Sequence, residues 1–174
     1  MTMAIDVLIS KESIENRIID IAKEIDKDYE GKDLVVVCVL NGAFVFCSDL
    51  IRKMQKHVYV DFMKASSYGE STVSSGNLRI DLDLKVDIEG KHVLLIEDIV
   101  DTGLTLTNII ERLSKRNPAS LKLASLLFKK ARNKYPVPID YLGFDIEDLF
   151  VIGYGLDFAG KYRELPYIGV YSED

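Results

Sequence analysis

Val93-Leu94-Leu95-Ile96-Glu97-Asp98-Ile99-Val100-Asp101-Thr102-Gly103-Leu104-Thr105-Leu106-Thr107 sets an apolar run, three carboxylates and a small-residue turn side by side. The aliphatic run 93–96 has no polar alternation, which predicts a strand buried on both faces of a parallel sheet. Such strands carry ligands at their carboxyl ends. Glu97 and Asp98 follow directly, then Asp101, then a hydroxyl-rich turn whose Gly103 can bring backbone close to a ligand. Leu106, Ile109, Ile110 and Leu113 fall at helical spacing, so amides around 102–105 sit at a helix N-terminus and face outward. That is an anion site, most naturally for phosphate. Carboxylates beside it would repel a phosphate unless they bind sugar hydroxyls or hold a divalent cation that the phosphates also touch. A phosphorylated sugar satisfies both halves.

Rival readings of the stretch are weaker. A helix cap needs one residue, not six. Asp101-Thr102-Gly103 also spells the triplet of an aspartic protease, but a parallel-sheet setting is wrong for it, and Glu97 and Asp98 would crowd a proton-sharing dyad. Gly-x-x-x-x-Gly-Lys is absent, and Gly153-x-Gly155 lacks the third glycine and the helix of a dinucleotide fingerprint.

Working outward, the 174 residues predict one domain over 1–174, large enough to bury a core without metals or disulfides. A net charge of −6 argues against non-specific binding to nucleic acid or an anionic membrane, and a polyanionic substrate would need a cation as go-between. Cys38 and Cys47 lie in apolar surroundings and read as small buried hydrophobes in a reducing cytoplasm. No apolar stretch approaches the ~18 residues of a membrane span. His57 and His92 are not spaced as metal ligands.

Strands are expected over 5–9, 34–40, 58–65, 78–84, 121–128, 139–143 and 168–171. Helices are expected after Ser10, with Ile14, Ile18, Ile21, Ala22 and Ile25 on one face, and through Phe44, Cys47, Leu50, Ile51 and Met54. Segment 66–76 is too polar and glycine-rich to pack and reads as a loop. The sum is an α/β chain: a mainly parallel twisted sheet flanked by helices, with a small hood added by the chain ends.

Two acids, two aliphatics and Asp-Thr-Gly-x-Thr resemble the phosphoribosyl pyrophosphate motif of type I phosphoribosyltransferases. Other matches spread along the chain resemble the hypoxanthine-guanine phosphoribosyltransferases in particular. Leu40-Asn41-Gly42 stands where that family has a pyrophosphate loop, usually Leu-Lys-Gly, that often contains a non-proline cis bond. Asn41 departs from the usual lysine.

The resemblance implies the type I fold and transfer of the phosphoribosyl group to hypoxanthine or guanine, releasing pyrophosphate, with Mg2+ required. It assigns the ribose hydroxyls to Glu97 and Asp98, the 5′-phosphate to Thr102, Gly103, Leu104 and Thr105, and the N7 proton of the base to Asp101. Arg163 stands near pyrophosphate. Ser67 and Tyr68 belong to a flap that closes over the ligand. Lys129 donates to the 6-oxo group, Phe150 stacks on the purine, the Val151 backbone reads its edge, and Asp157 joins Glu97 and Asp98 toward magnesium. A cytoplasmic homodimer or homotetramer is implied, with no nucleic-acid or membrane partner. A regulatory protein that keeps the site as a sensor and binds nucleic acid is the alternative.

Overall fold

The computed structural model describes residues 5–67 and 78–172. In chain order these form β1 (Ile5–Ile9), α1 (Lys11–Asp28), β2 (Leu34–Val39), α2 (Phe44–Lys53), β3 (Tyr59–Ser67), β4 (Leu78–Leu82), β5 (His92–Val100), α3 (Leu104–Ser114), β6 (Ser120–Phe128), a 3-10 turn (Lys130–Arg132), β7 (Tyr141–Asp145), β8 (Val151–Ile152) and β9 (Ile168–Tyr171). The α1 helix starts where expected, because the Ser10 hydroxyl accepts the amide of Ser13 at 3.1 Å. Its buried residues are the five isoleucine and alanine positions read from the spacing.

The main sheet runs β4-β3-β2-β5-β6-β7, with all neighbours parallel except the antiparallel edge strand β4. Every residue of β2 is buried, as an unbroken aliphatic run requires. Val36, Cys38, Leu94 and Ile96 pack with α1 and α2 on one face, and Val35, Val37, Val93 and Leu95 pack with α3 on the other. The chain crosses from β2 to β3 on one side and later resumes with β5 on the other, so the order reverses between β2 and β5. At such a reversal the flanking connections diverge and leave a crevice beyond the strand ends.

Several boundaries differ from the sequence reading. The β5 strand does not stop at Ile96 but carries Glu97 and Asp98 within it, because the ladder to β6 continues through Glu97–Ser125, Ile99–Leu127 and Val100–Phe128. Backbone pairing is indifferent to side-chain polarity. For the same reason Ser66 and Ser67, expected in a loop, extend β3 by pairing with Arg79 and Leu78. The β7 strand begins at Tyr141, two residues late. Asp140 is drawn instead into a two-way clasp on Leu123, its amide donating to the Leu123 carbonyl and its carboxylate accepting the Leu123 amide.

Asp61 ties β3 to the segment that leads into β5. It is 6% exposed and accepts the amides of Phe62, Lys85 and Val86 at 2.7–2.9 Å. Burial works to raise its carboxyl, but the three amides and the nearby Lys85 charge outweigh it and hold the group below its ordinary range. A depressed carboxylate contributes stability above its unfolded value of about 3.9, and that contribution is lost as pH falls through the folded value. Asp61→Asn is expected to cost about 1–3 kcal/mol at pH 7. Urea unfolding should show this deficit shrinking in acid, below about pH 4.

The hood is a separate sheet, β1-β9-β8, in which the two ends of the described chain pair antiparallel, Ile5 with Tyr171 and Val7 with Gly169. Val151 of β8 pairs with Val170.

Candidate active site

The parallel strands β2, β5 and β6 are neighbours, so their carboxyl ends open on one edge of the sheet. Leu40-Asn41-Gly42 leaves β2 there through a cis peptide between Leu40 and Asn41. Gly42 lies so close to the acid pair that a Cβ on it would stand 1.8 Å from Asp98 Oδ2. Asp98 Oδ1 is fixed by the Ile99 amide at 2.7 Å, and Glu97 Oε1 accepts the Asp98 amide at 3.1 Å. Burial, then the neighbouring charge of Asp98, holds the Glu97 carboxyl well above the usual range. Among the described residues neither acid has an ion-pair partner. Two crowded oxygen donors without a base beside them suit a hard cation or a set of hydroxyls.

Beyond β5 the backbone turns at Gly103, which takes φ +88° as the N-cap of α3. A glycine is needed twice over, since a Cβ there would also stand 2.1 Å from the Tyr135 carbonyl. The Thr102 carbonyl accepts the amides of Lys134 and Tyr135, and the Gly103 carbonyl accepts both the amide and the hydroxyl of Thr107. The turn is thus built by loop 129–135 from outside. Gly103 gives the first helical turn no side-chain cap, which suits an external anion there.

Asp101 carries the third carboxylate. Its Oδ1 accepts Arg132 Nε at 2.7 Å, and its carbonyl faces Asn133 Nδ2 at 3.4 Å. Lys129 is 8% exposed and its Nζ lies 3.6 Å from Asp148. Phe150 is half-exposed, packed edge-on against Phe158 and Tyr171 at ring distances of 5.8 and 5.9 Å, and Val151 is buried.

Asp157 does not join the other two acids. Among the described residues no three acidic, histidine or cysteine side chains gather into a metal-holding group. Asp157 Oδ2 accepts the Gly160 amide, and its Oδ1 pairs with Arg163 at 3.3 Å. Asp157 is thus engaged with Gly160 and Arg163, apart from the acid pair. Magnesium asks for no preformed cage, since one or two carboxylates plus substrate oxygens and water suffice. Arg163 also donates to the Gly155 carbonyl at 2.6 Å, and a Cβ on Gly155 would stand 2.2 Å from the Gly42 carbonyl. The hood thereby rests on the loop after β2. Ser67 is the last residue of β3, while Tyr68 and the rest of the expected flap lie outside the described residues.

Sequence reading missed Arg132, Asn133, Asp148 and Gly155. The position of loop 129–135 after a parallel strand was the available signal, but nothing in its composition says which motif it folds against.

An α/β sheet with acids and a helix N-terminus at its reversal point defines a phosphosugar-binding transferase, and the chain belongs to the phosphoribosyl transferase domain family, which matches residues 8–159. It is 50% identical to a hypoxanthine-guanine phosphoribosyltransferase of Dictyostelium discoideum, over 99% of this chain and 98% of that one. A hypoxanthine phosphoribosyltransferase of Escherichia coli is 44% identical, over 97% and 96%. The crystal structure of a hypoxanthine phosphoribosyltransferase from Staphylococcus aureus superposes with a TM-score of 0.92 at 45% identity, covering 96% of this chain and 91% of that one.

Proposed function

We infer that the chain salvages purines by transferring the phosphoribosyl group of phosphoribosyl pyrophosphate to hypoxanthine or guanine, giving IMP or GMP and pyrophosphate. The observation that carries this is the placing of Asp101 and Lys129 at adjacent strand ends, beside an acid pair and a helix N-terminus capped by a glycine. The relatives bear transferase names, which favours catalysis over the regulatory, nucleic-acid-binding alternative.

In this reading N9 of the base bonds to C1′ as the bond from C1′ to the pyrophosphate oxygen breaks, while the N7 proton passes to Asp101. Positive charge develops on the sugar, and Glu97 and Asp98 beside the ribose hydroxyls supply the complementary field. The amides of Thr102, Gly103, Leu104 and Thr105 hold the 5′-phosphate. Leu40, Asn41, Gly42 and Arg163 bound the pyrophosphate end, with Asn41 contributing backbone and amide in place of a cation. Magnesium, held by Glu97 and Asp98, would neutralise charge on the departing pyrophosphate. Asp157, beside Arg163, would reach a magnesium ion as well. The resemblance adds a closing role for Ser67 and Tyr68, the latter outside the described residues.

A cytoplasmic homodimer or homotetramer built from one domain over 1–174 completes the proposal. Among the described residues no helix is long and apolar enough to cross a membrane. The test is direct: purified protein, magnesium and phosphoribosyl pyrophosphate are mixed with each nucleobase in turn and nucleotide formation is followed by ultraviolet absorbance. No product with hypoxanthine or guanine rejects the reading.

Lys129 selects 6-oxo over 6-amino purines, because an ammonium only donates and an exocyclic amine gives it no good acceptor. Lys129→Ala is expected to raise KM for hypoxanthine roughly 10- to 100-fold, the value of a hydrogen bond to a charged group. Steady-state kinetics against base concentration checks this. A preference of the unmutated protein for adenine would reverse the assignment.

A further inference from the structure

The groups read as meeting the purine, Asp101 and Lys129, are joined by a chain of charges. Arg132 Nε donates to Asp101 Oδ1 at 2.7 Å, Arg132 also lies 3.8 Å from Asp148 Oδ1, and that same oxygen lies 3.6 Å from Lys129 Nζ. Two cations and two anions therefore balance within this group. Arg132 springs from the 3-10 turn that follows β6, whose loop also clasps the Asp101 and Thr102 carbonyls. Its guanidinium is thus fixed at its root and at both carboxylates.

The geometry points to Arg132 as a positioning residue for Asp101. It holds Oδ1 through Nε and leaves Oδ2 for the base. Asp148 holds Arg132 from the other side and keeps Lys129 nearby until the 6-oxo group takes it. Asp148 is half exposed, so its longer contacts, 3.8 Å to Arg132 and 3.6 Å to Lys129, are weak enough to exchange when a base enters, while the 2.7 Å bond from Arg132 to Asp101 stays. The inference rests on the purine reading of Asp101 and Lys129.

Arg132→Ala should lower kcat about 100-fold, the scale of a misplaced reacting group, with little change in KM for phosphoribosyl pyrophosphate. Added guanidinium should restore several-fold of the loss, and Arg132→Lys, which lacks the planar fork, should restore little. In the Asp101→Asn background, Arg132→Ala should cost almost nothing further, because the group that it orients is already gone. Full independent loss in that background, absence of guanidinium rescue, or unchanged kcat each overturns the proposal. A circular dichroism melt separates misfolding from mispositioning. An unmutated protein that makes no nucleotide removes the purine reading itself, and this inference with it, whereas failure of the Arg132 series alone leaves that reading standing.

Discussion

Asparagine in place of Asp101 lowers turnover by roughly 10²- to 10⁴-fold, while phosphoribosyl pyrophosphate still binds. The substitution keeps the size of the side chain and an oxygen for Arg132, which holds Oδ1 at 2.7 Å in the unmutated protein. What it removes is a group able to take the N7 proton. Loss should therefore fall on the chemical step, visible in single-turnover experiments, with calorimetric binding of the phosphosugar retained. Turnover equal to that of the unmutated protein would strip Asp101 of its role.

Gly42→Ala is expected to cost about 100-fold in kcat/KM, although it adds one methyl group. That methyl has no room: it would stand 1.8 Å from Asp98 Oδ2 and 2.8 Å from Asp98 Cγ. The carboxylate cannot simply swing aside, since Oδ1 is held by the Ile99 amide. The loop cannot retreat freely either, because its own carbonyl abuts Gly155. Either the acid or the pyrophosphate loop moves by an appreciable fraction of an ångström, and both are read as holding the phosphosugar. Overpacking of this kind also destabilises by about 1–3 kcal/mol, so a lowered melting temperature should accompany the kinetic loss. Unimpaired kcat/KM in a folded Gly42→Ala protein would show that the contact is dispensable.

Much of the fold was legible because its determinants are local. The aliphatic run of β2 and the isoleucine spacing of α1 each state their environment in a few residues. The acids of β5 were legible as chemistry and misread as structure. Polarity suggested that the strand had ended, whereas the ladder to β6 carries Glu97 within it. Gly103 could be read from its motif, but Gly42 and Gly155 matter for what lies across from them, and no local pattern encodes a backbone-to-carboxylate approach. Arg132 was hidden for a related reason: an arginine in a basic loop looks like solvated surface until the fold brings Asp101 to it.

The hood puts the two ends of the site on different timetables. Two strand-helix-strand units, β2-α2-β3 and β5-α3-β6, close over short stretches of chain within the core sheet. Within its sheet the strand carrying Val151 pairs only with β9, which in turn pairs with β1 from the opposite end of the described chain. Closing so long a loop carries an entropic cost that is met only once the intervening sheet has already drawn the ends together. The groups read as meeting the purine are therefore split: Asp101 and Lys129 are set by the core sheet, whereas Phe150 and Val151 depend on a pairing between the two ends of the described chain, so a chain with a finished core and an unfinished hood would hold one wall of the site and lack the other.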